Sequence, residues 1–222
     1  MRPSCSRGRS AFVRLVFCIF WIFTLAFTAQ AQELHLASFN IQVFGQSKVN
    51  KDFVLSTLLA ILDRYDIVCI QEIRDADETA IQQLLDQLNE QSQHSYALKV
   101  SERLGRGLMK EQYAYLYDQS KVEVLDTYLF DDVGDKFERE PYIARFKAAG
   151  HEFSLVGIHI TPTDVTAELQ ALNAVYEDTA DRYADKNIFI LGDFNADCIY
   201  YKPEIYGFDY FSDPVTVLLE NG

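Results

Sequence analysis

Residues 190–198 read "ILGDFNADC" and follow directly on the apolar residues that begin at Ile188. A short apolar run of this kind predicts a buried β-strand. Asp193, Asn195 and Asp197 follow it within five positions. Carboxylates beside a buried strand are costly unless a positive or hydrogen-bonding group compensates them. The stretch therefore predicts a polar site at the end of a strand.

The first 31 residues have the features of a secretory signal peptide. The apolar run Leu15–Phe27 and the small residues of "AQA" at 29–31 follow four arginines, Arg2, Arg7, Arg9 and Arg14. At 13 residues the run is short for a bilayer span. We predict that residues 32–222 form a mature domain, extracellular or periplasmic, with no membrane segment. An uncleaved membrane anchor is the alternative.

The predicted mature chain is strongly acidic. Residues 1–31 contain four of the 20 Lys and Arg residues and none of the 33 Asp and Glu residues, which leaves 16 against 33 and a net charge of −17. A tight electrostatic DNA binder normally presents a basic surface, so the composition argues against that class. It does not exclude an enzyme that meets phosphates through bound divalent cations.

Two cysteines remain after the predicted signal peptide. Cys69 lies within the apolar stretch "DIVCIQE" and is predicted to be a small buried residue, whereas Cys198 follows polar residues and is predicted to be exposed. Because an exported protein meets an oxidising compartment, a Cys69–Cys198 disulfide is an alternative.

The hydrophobic pattern predicts a single α/β domain with mixed sheets. Eight apolar runs rich in Val, Ile, Tyr and Phe are typical of strands: Leu34–Asn40, Asp66–Glu72, Tyr96–Val100, Tyr113–Tyr117, Lys121–Phe130, Tyr142–Lys147, Phe153–Ile160 and Asn187–Leu191. Three apolar stripes at helical spacing predict helices: Phe53, Val54, Leu58, Ile61 and Leu62; Ile81, Leu84, Leu85 and Leu88; and Val165, Leu169, Leu172 and Tyr176.

Polar residues stand at the ends of several predicted strands, where ligands of open α/β sheets collect. Oxygen atoms of Asn40 and Glu72 suit a hard cation such as Mg²⁺. His159 near the carboxylate of Glu111 suits a proton donor or acceptor held in one tautomer. We therefore predict that these residues converge with the polar residues of "ILGDFNADC".

The remaining candidates suit a phosphate substrate. Asp193 and Asn195 are placed to orient water and phosphate oxygens, and Arg139 in "FEREP" suits a bidentate phosphate contact. Each residue also has a structural interpretation. Taken alone, Glu72 is typical of a helix cap or turn. His159 alone is typical of a structural histidine with its hydrogen bonds satisfied, and Arg139 alone of a surface ion pair.

Together these stretches resemble, in the same chain order, the motifs of the deoxyribonuclease I family. They are "LASFNIQVFG", "YDIVCIQEIRD", "VSERLGRGLMKEQYAYLY", "LDTYLFDD", "FEREP", "GIHITPTD" and "LGDFNADC", and they extend from about Leu34 to Cys198. "GDFN" alone is shared by the wider endonuclease/exonuclease/phosphatase superfamily, whereas "GDFNADC" with "LGR…KE…Y" and "REP" is specific to this branch. The resemblance narrows the substrate to double-stranded DNA.

The resemblance implies a metal-dependent phosphodiesterase, expected to be a monomer, built from two mixed sheets packed face to face with helices outside. The implied cofactor is Mg²⁺ or Mn²⁺, with Ca²⁺ as a further candidate. The residues it assigns are His159, Glu111, Asp193 and Asn195 for catalysis, Glu72 and Asn40 for the metal, and Arg74 and Arg139 for DNA contacts, the first in the minor groove and the second at phosphate.

The sequence departs from the family pattern in two ways. Met109 and Gln42 stand where the family has a tyrosine and an arginine, and both changes are expected to weaken DNA contact. The family continues past the position of Gly222 with a second catalytic histidine, further carboxylates and the last strands, so a domain incomplete at its C-terminus is expected.

Three interpretations follow. The chain is a secreted endonuclease, weak or inactive in a truncated form; or it is a non-catalytic protein that keeps the scaffold and binds metal or DNA; or it is another phosphodiester hydrolase of the superfamily that acts on a phospholipid head group or an inositol phosphate.

Overall fold

A computed structural model describes residues 33–196. The first of its two sheets contains β1 (Leu36–Phe44), β2 (Ile67–Ile73), β3 (Tyr96–Val100) and β4 (Gln112–Asp118) in the order β1-β2-β4-β3. β1 and β2 are parallel, and β4 is antiparallel to β2 and β3. The sheet is therefore mixed, as the sequence predicts.

The second sheet contains β5 (Val122–Leu129), β6 (Tyr142–Ala148), β7 (His151–His159) and β8 (Ile188–Asp193) in that spatial order. β5, β6 and β7 are antiparallel neighbours, whereas β7 and β8 are parallel. A parallel pair needs a long crossover connection. In both sheets helices lie within the connection that joins the parallel pair.

Four helices are described: α1 (Gln46–Val49), α2 (Asp52–Leu62), α3 (Ala80–Gln91) and α4 (Val165–Tyr183). The last three lie where apolar stripes predict them, whereas the short α1 was not predicted. Phe53 was expected in the buried stripe of α2, but it is 83% exposed. Leu58 and Leu62 are buried as predicted, and Leu59 joins them on that face.

The strands are apolar on both faces because each sheet is covered on both sides. Ile67 and Cys69 of β2 pack between the sheets, while the alternating Val68 and Ile70 pack with α2 and α3. On the outer face of the second sheet, α4 packs against β6 and β7. The result is two sheets packed face to face with helices outside, which confirms the predicted fold class.

The two sheets approach closely at a glycine. A Cβ atom on Gly157 would lie 2.7 Å from Cys69 Sγ and 3.1 Å from Tyr115 Oη, both on the facing sheet. Tyr115 Oη lies 2.8 Å from the carbonyl oxygen of Tyr142 and 3.0 Å from that of Leu155. A side chain of the first sheet therefore donates to the backbone of the second.

Cys69 is a buried free thiol, and burial raises its pKa to about 12. A free thiol at Cys69 contradicts the disulfide alternative. Cys198 and residues 1–31 lie outside the described residues, so the exposure of Cys198 and the signal peptide stay predictions. Between residues 33 and 196, no helix has both the length and the apolar character that a membrane span requires.

Replacing Gly157 by alanine is expected to destabilise the protein by about 1 to 3 kcal/mol, because the added methyl group overpacks the sheet interface. Urea unfolding followed by circular dichroism measures the change. In a Cys69→Ala background the same replacement should cost less, since the sulfur that the new Cβ would meet is gone. Equal costs in the two backgrounds would contradict the steric explanation.

Candidate active site

Polar side chains from both sheets meet at one end of the molecule. Asn40 lies in the middle of β1, where the regular pairing with β2 stops, and Glu72 lies in the last part of β2. His159 and Asp193 are the last residues of β7 and β8. Glu111 directly precedes β4, whose antiparallel direction brings its beginning beside the end of β2. Because β1 lies against β8 and β2 against β7, these ends form one site.

The side-chain amide of Asn40 bridges two carboxylates. Its Nδ2 donates to Glu72 Oε1 and to Asp193 Oδ2, both at 2.9 Å. Its Oδ1 accepts from the backbone N–H of Gln42 at 2.9 Å, which fixes the orientation of the amide. Glu72 Oε2 accepts from the backbone N–H of Val43 at 2.8 Å.

Glu72 and Asp193 are the side chains that best fit a divalent cation. Among residues 33–196, no three His, Cys, Asp or Glu side chains form a metal-binding group. Mg²⁺ does not require one, because it keeps several waters and often binds through one or two carboxylates. The two carboxylates converge on one Asn40 nitrogen, which fits that mode. Asn40 Oδ1 would have to leave Gln42 to coordinate the ion.

His159 faces the same two carboxylates. Its Nδ1 lies 2.9 Å from Glu111 Oε2, and its backbone N–H donates to Tyr113 Oη at 2.8 Å. Its Nε2 lies 3.9 Å from Glu72 Oε1 and 3.9 Å from Asp193 Oδ2. The imidazole is therefore fixed on one side and directed at the candidate metal position on the other.

The charge state of Glu111 sets the tautomer of His159. Burial raises the pKa of Glu111, but the hydrogen bond from His159 and the charges of Arg139 and Arg74 outweigh it, so the pKa lies below its ordinary value. An ionised carboxylate can only accept hydrogen bonds. Nδ1 therefore carries a proton, and the tautomer that this selects leaves Nε2 as the nitrogen that can accept one.

Two arginines surround Glu111. Arg74 donates to Glu111 Oε1 from Nε at 3.0 Å and from a terminal nitrogen at 2.5 Å. Arg139 donates to the carbonyl oxygen of His159 at 2.8 Å and 3.2 Å, and it lies 3.6 Å from Glu111 Oε1. Arg139 is 8% exposed, so its interpretation as a surface ion pair is wrong.

The "GDFN" stretch turns sharply after β8. A Cβ on Gly192 would lie 1.8 Å from the carbonyl oxygen of Ile158, so only glycine fits there. Beyond it, the backbone N–H of Asn195 donates to Asp193 Oδ1 at 3.0 Å, and its Nδ2 donates to Ile160 O at 2.8 Å. The structure thus brings all the predicted site residues into one connected set, while Asp197 lies outside the described residues.

Comparisons with known proteins place this chain in a family. Residues 37–211 match the Endonuclease/Exonuclease/phosphatase family. Deoxyribonuclease-1 from Homo sapiens is 40% identical over 181 residues, which cover 78% of this chain and 64% of that protein. Deoxyribonuclease-1-like 2 from Homo sapiens is 35% identical over 214 residues, which cover 86% of this chain and 71% of that protein. The chain belongs to the deoxyribonuclease I family.

This member of the deoxyribonuclease I family spans slightly less than two thirds of the length of the human and bovine deoxyribonuclease-1 chains that it matches, 64% and 62%. Solved structures agree on the fold. A functionally unknown conserved protein from Enterococcus faecalis V583 matches with a TM-score of 0.54, 21% identity and coverage of 74% of this chain and 68% of that chain. TDP2 from D. rerio, complexed with a single-strand DNA product, matches with a TM-score of 0.53 and 16% identity. That match covers 78% of this chain and 64% of the TDP2 chain.

Sequence reasoning missed two residues that support the site of this deoxyribonuclease I family member. Lys48 Nζ donates to the carbonyl oxygens of Ile41 and Gln42 at 2.8 Å and 2.5 Å, next to the segment that binds Glu72. The buried Tyr113 hydroxyl holds the backbone of His159. A lone lysine after a strand and a tyrosine in an apolar run carry no motif, so only the fold reveals these contacts.

Replacing Glu111 by glutamine is expected to lower the free energy of unfolding by about 1 to 3 kcal/mol at neutral pH, because buried donors lose an ionised acceptor. The folded pKa lies below the ordinary value of 4.5, so this contribution is present above pH 4.5 and is lost as the pH falls through the folded pKa. Urea unfolding of both proteins at several pH values between about 3 and 7 measures it.

The exposed Glu123 on β5 provides the matched control, because Glu123→Gln removes a carboxylate from the surface. Its stability should follow that of the wild-type protein at every pH. A stability difference for Glu111→Gln that is independent of pH would contradict an ionised Glu111 in the folded state.

Proposed function

We propose that this chain is a secreted, metal-dependent endonuclease that hydrolyses phosphodiester bonds of double-stranded DNA. The observation that carries the proposal is the position of His159 Nε2, 3.9 Å from both Glu72 and Asp193, with Nδ1 held by Glu111. In a member of the deoxyribonuclease I family, this arrangement combines a proton acceptor with a pair of carboxylates suited to Mg²⁺.

Each residue has a defined task in this proposal. His159 Nε2 accepts a proton from the attacking water, and Glu111 stabilises the imidazolium that forms. Asp193 and Asn195 orient the water and the phosphate oxygens. A divalent cation, Mg²⁺ or Mn²⁺ with Ca²⁺ as a further candidate, would be held by Glu72 and Asp193 and would stabilise the negative charge of the phosphate. Asn40 holds the two carboxylates toward each other.

The two arginines differ in how they can meet DNA. The Arg74 side chain is 26% exposed, whereas that of Arg139 is 9% exposed. Arg74 is therefore the better placed to enter the minor groove, and Arg139 contacts phosphate only where the substrate reaches the floor of the site. The strength of minor-groove contacts depends on the width and stiffness of the groove, so the cleavage rate should depend on DNA shape more than on base sequence.

The proposal includes export and a monomeric state. Residues 1–31 supply the signal peptide, after which the domain acts outside the cell or in a periplasm.

Two exposed residues weaken the DNA contact relative to the family pattern. They are Met109, which is 76% exposed on the loop before β4, and Gln42 on β1.

Plasmid nicking tests the proposal. The purified chain is expected to nick supercoiled DNA with Mg²⁺ and to lose this activity in EDTA. His159→Gln should reduce the rate by about 100-fold or more, because general acid–base catalysis is lost. His151→Gln, which changes an exposed histidine at the beginning of β7, is the matched control and should leave the rate unchanged.

The outcomes separate the interpretations. Nicking that survives His159→Gln would assign the activity to another group or to a contaminant. A folded chain that binds DNA without nicking it would be a binding protein. Hydrolysis of a phospholipid head group or an inositol phosphate in place of DNA would identify another phosphodiester hydrolase of the superfamily. Arg74, Arg139 and the "LGR…KE" stretch favour DNA.

Glu72→Gln tests the metal assignment separately. Removing one of two ligating carboxylates should weaken Mg²⁺ binding by about tenfold or more, as measured by isothermal titration calorimetry. Glu78→Gln, on the exposed segment before α3, is the control and should bind Mg²⁺ like the wild-type protein. Equal Mg²⁺ affinity for Glu72→Gln and the wild-type protein would remove Glu72 from the metal site.

A further inference from the structure

Glu168 is a charged residue on the buried face of a helix. It lies in the first turn of α4 and is 0% exposed, between the buried Val165 and Leu172. The predicted apolar stripe of this helix does not include Glu168, because it has the neighbouring Leu169 facing inward. A carboxylate in such a place is costly unless it is fully hydrogen-bonded.

The Glu168 carboxylate joins two separate backbone segments. Its Oε1 accepts from the backbone N–H of Glu138 at 3.0 Å, and its Oε2 accepts from the backbone N–H of Thr161 at 3.3 Å. Glu138 belongs to the segment between β5 and β6, and Thr161 follows β7. One side chain thus connects the loop that leads into β6 with the loop that follows its neighbour β7.

Each of these segments carries a site residue. Glu138 directly precedes Arg139, and Thr161 is two residues beyond His159. The Arg139 guanidinium donates to the carbonyl oxygen of His159 at 2.8 Å, so the two segments also meet at the site. The β6–β7 ladder pairs Tyr142 with Gly157, so Glu168 adds a further tie beyond the end of that ladder, next to the Arg139–His159 bond.

The same bridge extends to a loop beside the site. The Glu138 carboxylate accepts from the backbone N–H of Arg106 at 3.1 Å and lies 3.6 Å from its guanidinium. Arg106 belongs to the segment that ends at Met109 and precedes β4. Burial raises the pKa of Glu168, which its two backbone donors and the nearby charges of Arg139 and Arg106 partly offset.

We propose that Glu168 is a positioning residue that fixes the Arg139 and His159 segments relative to each other through its two backbone hydrogen bonds. The inference rests on the proposed nuclease function for its effect on rate, but not for its effect on geometry. Glu168 itself touches neither His159 nor the carboxylates of the candidate metal position in any contact found among residues 33–196.

Steady-state kinetics test the effect on rate. Glu168→Gln keeps the size of the side chain, but its amide nitrogen must face one of the two N–H donors. We expect kcat for DNA hydrolysis to fall by about tenfold, because small displacements of catalytic groups are costly, while KM changes by less than about twofold. Glu177→Gln, an exposed change on the same helix, should leave both constants unchanged.

Nuclear magnetic resonance tests the geometry without activity. The chain has four histidines, so the ring signals of His159 can be assigned with His159→Gln. In Glu168→Gln the His159 ring signals should shift, while those of His35, His94 and His151 should not. In the wild-type protein, the amides of Glu138 and Thr161 should exchange slowly with solvent.

The outcomes are distinguishable. Unchanged His159 signals and an unchanged kcat in Glu168→Gln would overturn the positioning role, as would a kcat loss that only matches the loss of folded protein. If the wild-type protein does not hydrolyse DNA, the proposed function fails and the His159 signals decide about Glu168. If Glu168→Gln does not fold, fast exchange of the Glu138 and Thr161 amides in the wild-type protein overturns the inference, and slow exchange supports it.

Discussion

The hydrogen bond between Glu111 and His159 joins the two sheets at the candidate site. Glu111 precedes β4 of the first sheet, and His159 ends β7 of the second; they are 3% and 5% exposed. A buried carboxylate is tolerated only where its charge is compensated. Arg74, directly after β2, and Arg139, in the segment between β5 and β6, supply that compensation. The pair therefore fixes both the tautomer of His159 and the alignment of the sheet ends around it.

The backbone around this pair is held in conformations that ordinary residues avoid. Gln42, Val43, Glu72 and Asn195 all have positive φ, between 47° and 62°. Such residues cost of order 1 kcal/mol each and persist where the surroundings over-determine them. Here the strained turns allow two hydrogen bonds to form: the Val43 N–H donates to Glu72, and the Asn195 N–H donates to Asp193. Lys48 holds the first of these turns by capping two carbonyl oxygens.

The sequence predicted the layers better than the details of the site. Apolar runs located the eight strands found between residues 33 and 196, because sheets buried on both faces leave a continuous signal. The strand ends identified the polar residues that meet. Three features escaped it for physical reasons. Phe53 fits the helical stripe but lies beyond the edge of the packed face. In the α4 stripe Val165 and Leu172 are buried as predicted, but Leu169 was placed inward where the buried residue is its neighbour Glu168. The orientation of the Asn40 amide depends on the turn at Gln42.

Charge connects the acidic composition to the proposed substrate. The connected site contains the carboxylates of Glu72, Glu111 and Asp193 and the guanidinium groups of Arg74 and Arg139, and these five charges sum to −1. A divalent cation would change this sum to +1, matched to one phosphodiester. Because the chain carries a formal net charge of −13, its surface adds no general attraction for DNA. Substrate binding in the proposed enzyme therefore depends on the cation, and both arginines are engaged in holding Glu111 and His159 before any phosphate arrives.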